Sequence, residues 1–238
     1  MIRVAVLYTV VSQGRISDDL ASRFVSTYHQ FPVGAEHDLF IICNGGPLSL
    51  ERALLFCGVA SKFFPRVNTP GWDIDGYMDA ARGPCKDFDM LVALGESCYF
   101  HRAGWLARLV EAWQKHGPGF YGPFSSNNVR GHLHTTAFCC SPAMLLSYPV
   151  KIVDRNGRME FEHGQGALWR RLAARGLPVR LVTFDGEYEP RLWRTPKNIL
   201  WKGDQSALLL HSNHTDRFRD GSANRKRSWQ AQADSPFK

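Results

Sequence analysis

The chain lacks several features that would have fixed its class at once. No apolar run approaches the roughly 20 residues that a membrane-spanning helix needs, so no membrane span is predicted. Six cysteines are present (Cys43, Cys57, Cys85, Cys98, Cys139, Cys140), but none forms a Cys-x-x-Cys pair. Several sit in apolar runs, where a thiol behaves as a small hydrophobe, so reduced cysteines and a cytoplasmic location are expected. There is no Gly-x-x-x-x-Gly-Lys-Ser/Thr phosphate loop and no Gly-x-Ser-x-Gly nucleophile turn. His132-x-His134 would set two imidazoles on one face of a strand, and His211 and His214 are spaced for a helix turn. No third and fourth ligand follow in a recognised zinc spacing, so no metal site is assigned.

Charge of one sign is also scarce. The formal charge is +7, of which residues 216–238 hold six Lys/Arg and three Asp/Glu, or +3, leaving +4 for the rest. The basic residues are dispersed, without the aromatic-basic interleaving of single-strand binders, and no nucleic-acid partner is predicted. A mild positive balance suits a protein that handles phosphates or acidic glycans.

What is present reads as one globular domain. The 238 residues, 44% apolar and 21% charged, can bury a substantial core. Residues 2–10 form an apolar, β-branched run expected as a first buried strand rather than a signal peptide. Strand-like runs follow at 38–43, 62–67, 89–94, 120–123, 135–140 and 178–184. Helical patterns fall near 17–28, 48–57, 72–82, 103–116 and 161–175. This βαβα order predicts a mostly parallel central sheet with helices on both faces, a three-layer α/β/α sandwich. In such sheets ligands bind beyond the carboxyl ends of the strands. Residues 1–215 are expected to form the domain, and the polar, basic residues 216–238 a loosely ordered tail.

Four segments carry chemistry. Residues 89–113 (DMLVALGESCYFHRAGWLARLVEAW) run from a strand through a polar turn, Gly95-Glu96-Ser97-Cys98, into a helix opened by Gly104-Trp105; a plain strand-helix junction reads the same way. Residues 67–82 (VNTPGWDIDGYMDAAR) place Asp73 and Asp75 at a helix start, where they either accept hydrogen bonds from sugar hydroxyls or cap the helix. Residues 159–182 hold Glu160 and Glu162, on one face if the segment is extended. A hydroxyl nucleophile needs a positioned carboxylate or histidine, and helix capping is the alternative role for Glu162. Residues 203–218 (GDQSALLLHSNHTDRF) offer His211 and His214 after the last strand.

Taken in order, these segments resemble the GT-A glycosyltransferases of the family 2 kind, over about residues 2–218. The resemblance rests on the first strand, the Asn44-Gly45-Gly46 turn and the Gly71-x-Asp73-Ile74 helix start. It continues through the turn before Gly104-Trp105-Leu106, the Phe161-Glu162-His163-Gly164 helix and the late His214. It implies transfer of a sugar from a nucleoside diphosphate donor to a glycan or other hydroxyl acceptor in surface polysaccharide or glycan synthesis, with inversion. Thr9, Asn44, Asn68, Asp73, Asp75, Glu96, Ser97 and His214 would hold the donor, and Glu162 would be the general base. In that family the turn is Asp-x-Asp and binds a divalent ion; here Gly95 and Ser97 stand where the two acids belong. A magnesium or manganese ion is therefore not assumed. A catalytically inactive sugar-nucleotide or glycan-binding module of the same fold is the alternative, and a nucleotidyltransferase with a similar sheet a third.

Overall fold

The structure is a computed structural model that describes residues 2–12, 15–59, 61–67, 73–126, 131–193 and 200–234. The first half alternates strand and helix: Val4–Val11 (β1), Arg15–Gln30 (α1), Asp38–Asn44 (β2), Leu50–Leu54 (α2), Ser61–Arg66 (β3), Asp73–Arg82 (α3), Met90–Leu94 (β4) and Trp105–His116 (α4). Shorter elements follow: Phe120–Gly122 (β5), Ser125–Ser126 (β6), His132–Leu133 (β7), Ala137–Cys140 (β8), Pro142–Leu146 (α5), Arg155–His163 (α6), Leu168–Ala174 (α7), Val179–Val182 (β9) and Glu187–Tyr188 (β10). A 3-10 turn at Pro190–Leu192 precedes Asn213–Arg219 (α8) and Ala223–Asp234 (α9).

Eight strands form one sheet in the order β10-β9-β5-β8-β4-β1-β2-β3, and β6 and β7 pair as a separate small ribbon. The β3-β2-β1-β4 half is parallel, β8 runs antiparallel between β4 and β5, and β9 is parallel to β5. The mainly parallel sheet and its two helical layers are the fold expected from the βαβα order.

The alternation of β1 shows how the sequence builds two cores. Val4, Val6, Tyr8 and Val10 join Phe24 of α1 and Trp105, Leu109 and Trp113 of α4 on one face. Ala5 and Leu7 face the other way, onto Ile74, Tyr77 and Ala81 of α3 and Phe161 and Leu168 beyond. Each large apolar side chain buried in this way contributes about 1.5–3 kcal/mol, and a strand covered on both faces is mainly apolar along its length.

Three expectations need correction. The run 161–175 is not one helix, because Gly164 takes an extended conformation and separates α6 from α7. Glu160 and Glu162 therefore lie on helix α6 and not on one face of a strand. The polar segment from Asp216 onward is helical as far as Asp234. Composition hid this because only a few side chains do the anchoring. Ser212 and Thr215 form a capping box at the start of α8. Trp229 stacks on Trp201 at 5.9 Å and lies 6.3 Å from Phe218. No helix among the described residues is long and apolar enough to cross a membrane.

Candidate active site

The carboxyl ends of β1, β2 and β4 open on one side of the sheet, and several of the expected residues meet there. Thr9 is buried near the end of β1, with its hydroxyl 3.5 Å from that of Tyr77. Asn44 ends β2, and its Oδ1 accepts from Arg66 Nη1 at 2.6 Å. Asp73 opens α3; Oδ1 accepts the Ile74 N–H at 3.0 Å, and Oδ2 lies 3.4 Å from Arg158 Nη2. Burial pushes the Asp73 carboxyl above its ordinary range, and the Arg158 charge offsets only part of that. A Cβ placed on Gly95 would lie 3.9 Å from Asp73 Oδ2, so the turn after β4 borders the same crevice. Asn68 lies outside the described residues.

Gly76 allows this close packing. A Cβ there would lie 3.0 Å from Ile42 Cγ2 and 3.3 Å from Arg66 Nη1, so a larger residue would press on both side chains beneath the site.

Helix α6 supplies two more side chains. Asp154 caps it by accepting the Gly157 N–H at 2.8 Å. Arg158 and Glu162, four residues apart, then share one helix face. Glu162 is 8% exposed and sits between the two histidines of the β7 segment. Its Oε1 accepts the Thr135 N–H at 3.1 Å and lies 3.4 Å from His132 Nε2 and 3.3 Å from His134 Nδ1. Burial works to raise the Glu162 pKa, but the two imidazoles and the Thr135 N–H together hold it well below the ordinary carboxylate range. Burial lowers His134 to about 3. Glu162 was expected as a free base ahead of a late helix; it stands instead in the last turn of α6 within a three-residue cluster.

His214 reaches the cluster from far along the chain. Tyr99, just after β4, bridges His211 through paired backbone hydrogen bonds of 3.0 and 2.8 Å. The capped start of α8 then sets the His214 ring 4.5 Å from that of His134. Burial lowers the His214 pKa.

Two expected donor residues have side chains engaged elsewhere, and a third makes a backbone contact. Asp75 pairs with the buried Arg66 at 2.5 Å. Glu96 Oε1 accepts the Val11 N–H at 3.0 Å and the Ser17 hydroxyl, tying the end of β1 to α1. Ser97 presents its backbone carbonyl to Arg23 Nη2 at 3.5 Å. The turn therefore does not fit the divalent ion that the resemblance implies, since its one carboxylate is already engaged. The set His132, His134 and Glu162 is, among the described residues, the cluster whose donor atoms lie close enough to share an ion.

Sequence reasoning passed over Arg158 and gave no role to the histidine pair. The signal was present in His132-x-His134, but the third member came from a segment 28 residues away that was read for catalysis alone.

Comparison with known proteins is informative about fold. No family model and no curated protein matches the sequence. Among solved structures, a glucose-1-phosphate thymidylyltransferase of Bacillus anthracis, crystallised with sucrose, overlays at a TM-score of 0.52 with 10% identity. The overlay covers 99% of this chain and 97% of that one. A nucleotide-diphospho-sugar transferase of Desulfovibrio desulfuricans overlays at 0.45 with 15% identity, over 75% of this chain and 79% of that one. The galactosyltransferase LgtC, bound to donor and acceptor sugar analogs, gives 0.38 with 9% identity over 58% of each chain. The overlay on the thymidylyltransferase, which spans nearly the whole of both chains, shows a shared fold.

Proposed function

We propose that this protein is a glycosyltransferase that moves a sugar from a nucleoside diphosphate donor to a hydroxyl acceptor. One observation carries the reading: Thr9, Asn44, Asp73, Arg158, Glu162 and His214 come from five separate elements, β1, β2, α3, α6 and α8, and lie toward the carboxyl end of the parallel strands. That is where sheets of this class bind nucleotides.

The donor's nucleoside lies along the ends of β1 and β2, near Thr9 and Asn44. Asp73 accepts hydrogen bonds from ribose or sugar hydroxyls. Arg158 faces the diphosphate: its Nε is buried without a partner among the described residues, and a guanidinium pairs well with phosphate. Neutral His214 stands on the same side. As the bond to the sugar breaks, negative charge builds on the departing diphosphate, and these groups are already oriented toward it. Activation of the acceptor hydroxyl belongs to the Glu162 cluster as a unit, because the carboxylate is not free to act as a lone base. Inversion, and a place in polysaccharide or glycan assembly, complete the proposal.

The test is release of free nucleoside diphosphate from a panel of nucleotide sugars, with and without simple glycan acceptors. The proposal expects at least one donor to turn over, and Asp73→Asn to slow it. Absence of release from every donor, with folded protein and a range of acceptors, would overturn it.

The engagement of Glu96 away from the crevice favours a second reading, a sugar-nucleotide-binding module without turnover. That reading expects tight nucleotide binding, unchanged by Glu162→Ala, and no product from either protein.

A further inference from the structure

We infer that His132, His134 and Glu162 form a binding site for a divalent transition-metal ion of the zinc or cobalt type. The inference stands on local geometry; only its consequence for the donor rests on the glycosyltransferase reading.

The distances from Glu162 match the edges of an ion's ligand shell more closely than short charge-assisted hydrogen bonds. A charge-assisted N–H to carboxylate bond is about 2.7–2.9 Å long. Here Glu162 Oε1 lies 3.4 Å from His132 Nε2 and 3.3 Å from His134 Nδ1. Two ligands held about 2.0–2.1 Å from a tetrahedral ion lie about 3.3–3.4 Å from each other. The observed separations are those of ligand edges. The three donor atoms all fall within 4.8 Å of one another.

Lone-pair direction supports the same conclusion. His134 Nδ1 accepts the Thr136 N–H at 3.3 Å and lies 2.8 Å from the Thr136 hydroxyl, so in the tautomer that accepts both it carries a lone pair and not a proton. The same atom faces Glu162 Oε1, an acceptor already taking the Thr135 N–H at 3.1 Å. Two acceptors turned toward each other repel unless a proton or a metal cation lies between them. A cation bound there would make the arrangement favourable.

Two imidazoles and one carboxylate are a borderline ligand set that suits zinc or cobalt and not magnesium, which requires oxygen ligands. Three protein ligands leave a position open, as in catalytic sites. The site also adjoins the place where an ion is missing its acids: the Gly95 N–H donates to the Thr136 carbonyl at 2.8 Å, two residues from His134. An ion at the cluster would sit beside the turn and face the donor's diphosphate or the acceptor's hydroxyl, with His214 next to it. Glu162 then serves as a ligand, and the ion takes the place of the one that an Asp-x-Asp turn would hold.

The test is metal binding with no nucleotide present, so its result is independent of whether the protein transfers sugar. Chelator-treated protein is titrated with Zn²⁺ and with Co²⁺, with Mg²⁺ as control. One equivalent of each transition metal is expected to bind, and the Co²⁺ form to show visible absorption without a thiolate charge-transfer band. Glu162→Gln should weaken Zn²⁺ by more than the roughly 10–100-fold typical of outer-shell changes, and Cys57→Ser should leave it unchanged. X-ray absorption of the Zn²⁺-loaded native protein reads the ligands without any variant, and two imidazoles with no sulfur are expected. Absence of stoichiometric binding, sulfur in the coordination shell, or undiminished affinity in folded His132→Ala/His134→Ala protein would overturn the inference.

Discussion

Arg66 offers the sharpest energetic test of how the site is supported. Its side chain is 2% exposed, and Nη2 reaches Asp75 at 2.5 Å and Asp79 at 2.7 Å, while Nη1 donates to Asn44 Oδ1 at 2.6 Å. Replacing it by leucine leaves Asp75, whose side chain is only 13% exposed, without its counter-charge. Breaking a buried pair from one side costs about 3–5 kcal/mol. Asp79 adds little, because it is 35% exposed and keeps Arg82 at 3.0 Å. For a chain of this size each kcal/mol moves the midpoint by about 2–4 °C, so Arg66→Leu should lower the thermal midpoint by roughly 10 °C. Circular dichroism during heating and urea titration provide the assay. Removing the partner as well should recover part of the loss: Arg66→Leu/Asp75→Leu is expected to be more stable than the sum of the two single changes by about 1–3 kcal/mol. A cost below about 1 kcal/mol for Arg66→Leu, or strict additivity in the cycle, would refute the view that Asp75 is held for structure.

Other outcomes follow from the same geometry. Glu96→Gln should lower stability by about 1–3 kcal/mol through weakened bonds to Val11 and Ser17, while leaving donor affinity within about twofold; urea titration and calorimetry check the two halves. Trp229→Ala should cost about 1–2 kcal/mol by removing the stack on Trp201, and faster proteolysis within residues 216–234 would report it. His211 is held down to about 4, first by burial and then by the neighbouring His101. Its folded pKa lies below the unfolded value of about 6.5, so the unfolded chain binds the proton first and stability falls as pH drops from 6.5 toward 4. The loss attributable to His211 between pH 7 and pH 5 is about 2 kcal/mol. His211→Asn should flatten that slope in urea titrations, and an unchanged slope would count against the assignment.

Much of the fold was legible because β1, β2 and β4 are apolar on both faces, a pattern that only a covered parallel sheet requires. The Trp105 helix was equally plain, since its buried residues recur at helical spacing. The split between α6 and α7 was missed because the apolar pattern runs through residues 161–175, while Gly164 acts through backbone conformation alone. The two final helices were missed because composition counts apolar residues and does not see where Trp229 and Phe218 land. Of the site, Thr9, Asn44, Asp73, Glu162 and His214 were named from the chain and do come together. What no local reading supplies is direction. Asp75 and Glu96 look like donor ligands on paper, yet one turns to Arg66 and the other to the Val11 amide, partners set by where β3 and the end of β1 lie. The grouping of His132 and His134 with Glu162 likewise depends on how α6 packs against β7.

The central claim is that the crevice at the carboxyl end of the sheet takes a nucleoside diphosphate sugar. Calorimetric titration of the intact chain with a panel of nucleotide sugars and free nucleoside diphosphates tests it most directly. The account expects at least one donor and its parent diphosphate to bind with one-to-one stoichiometry, and to stabilise the fold by about 2.7 kcal/mol at a hundred times the Kd. It also expects Asp73→Asn to weaken the donor. No binding by any nucleotide sugar or diphosphate, or binding indifferent to Asp73 and Arg158 alike, would contradict it.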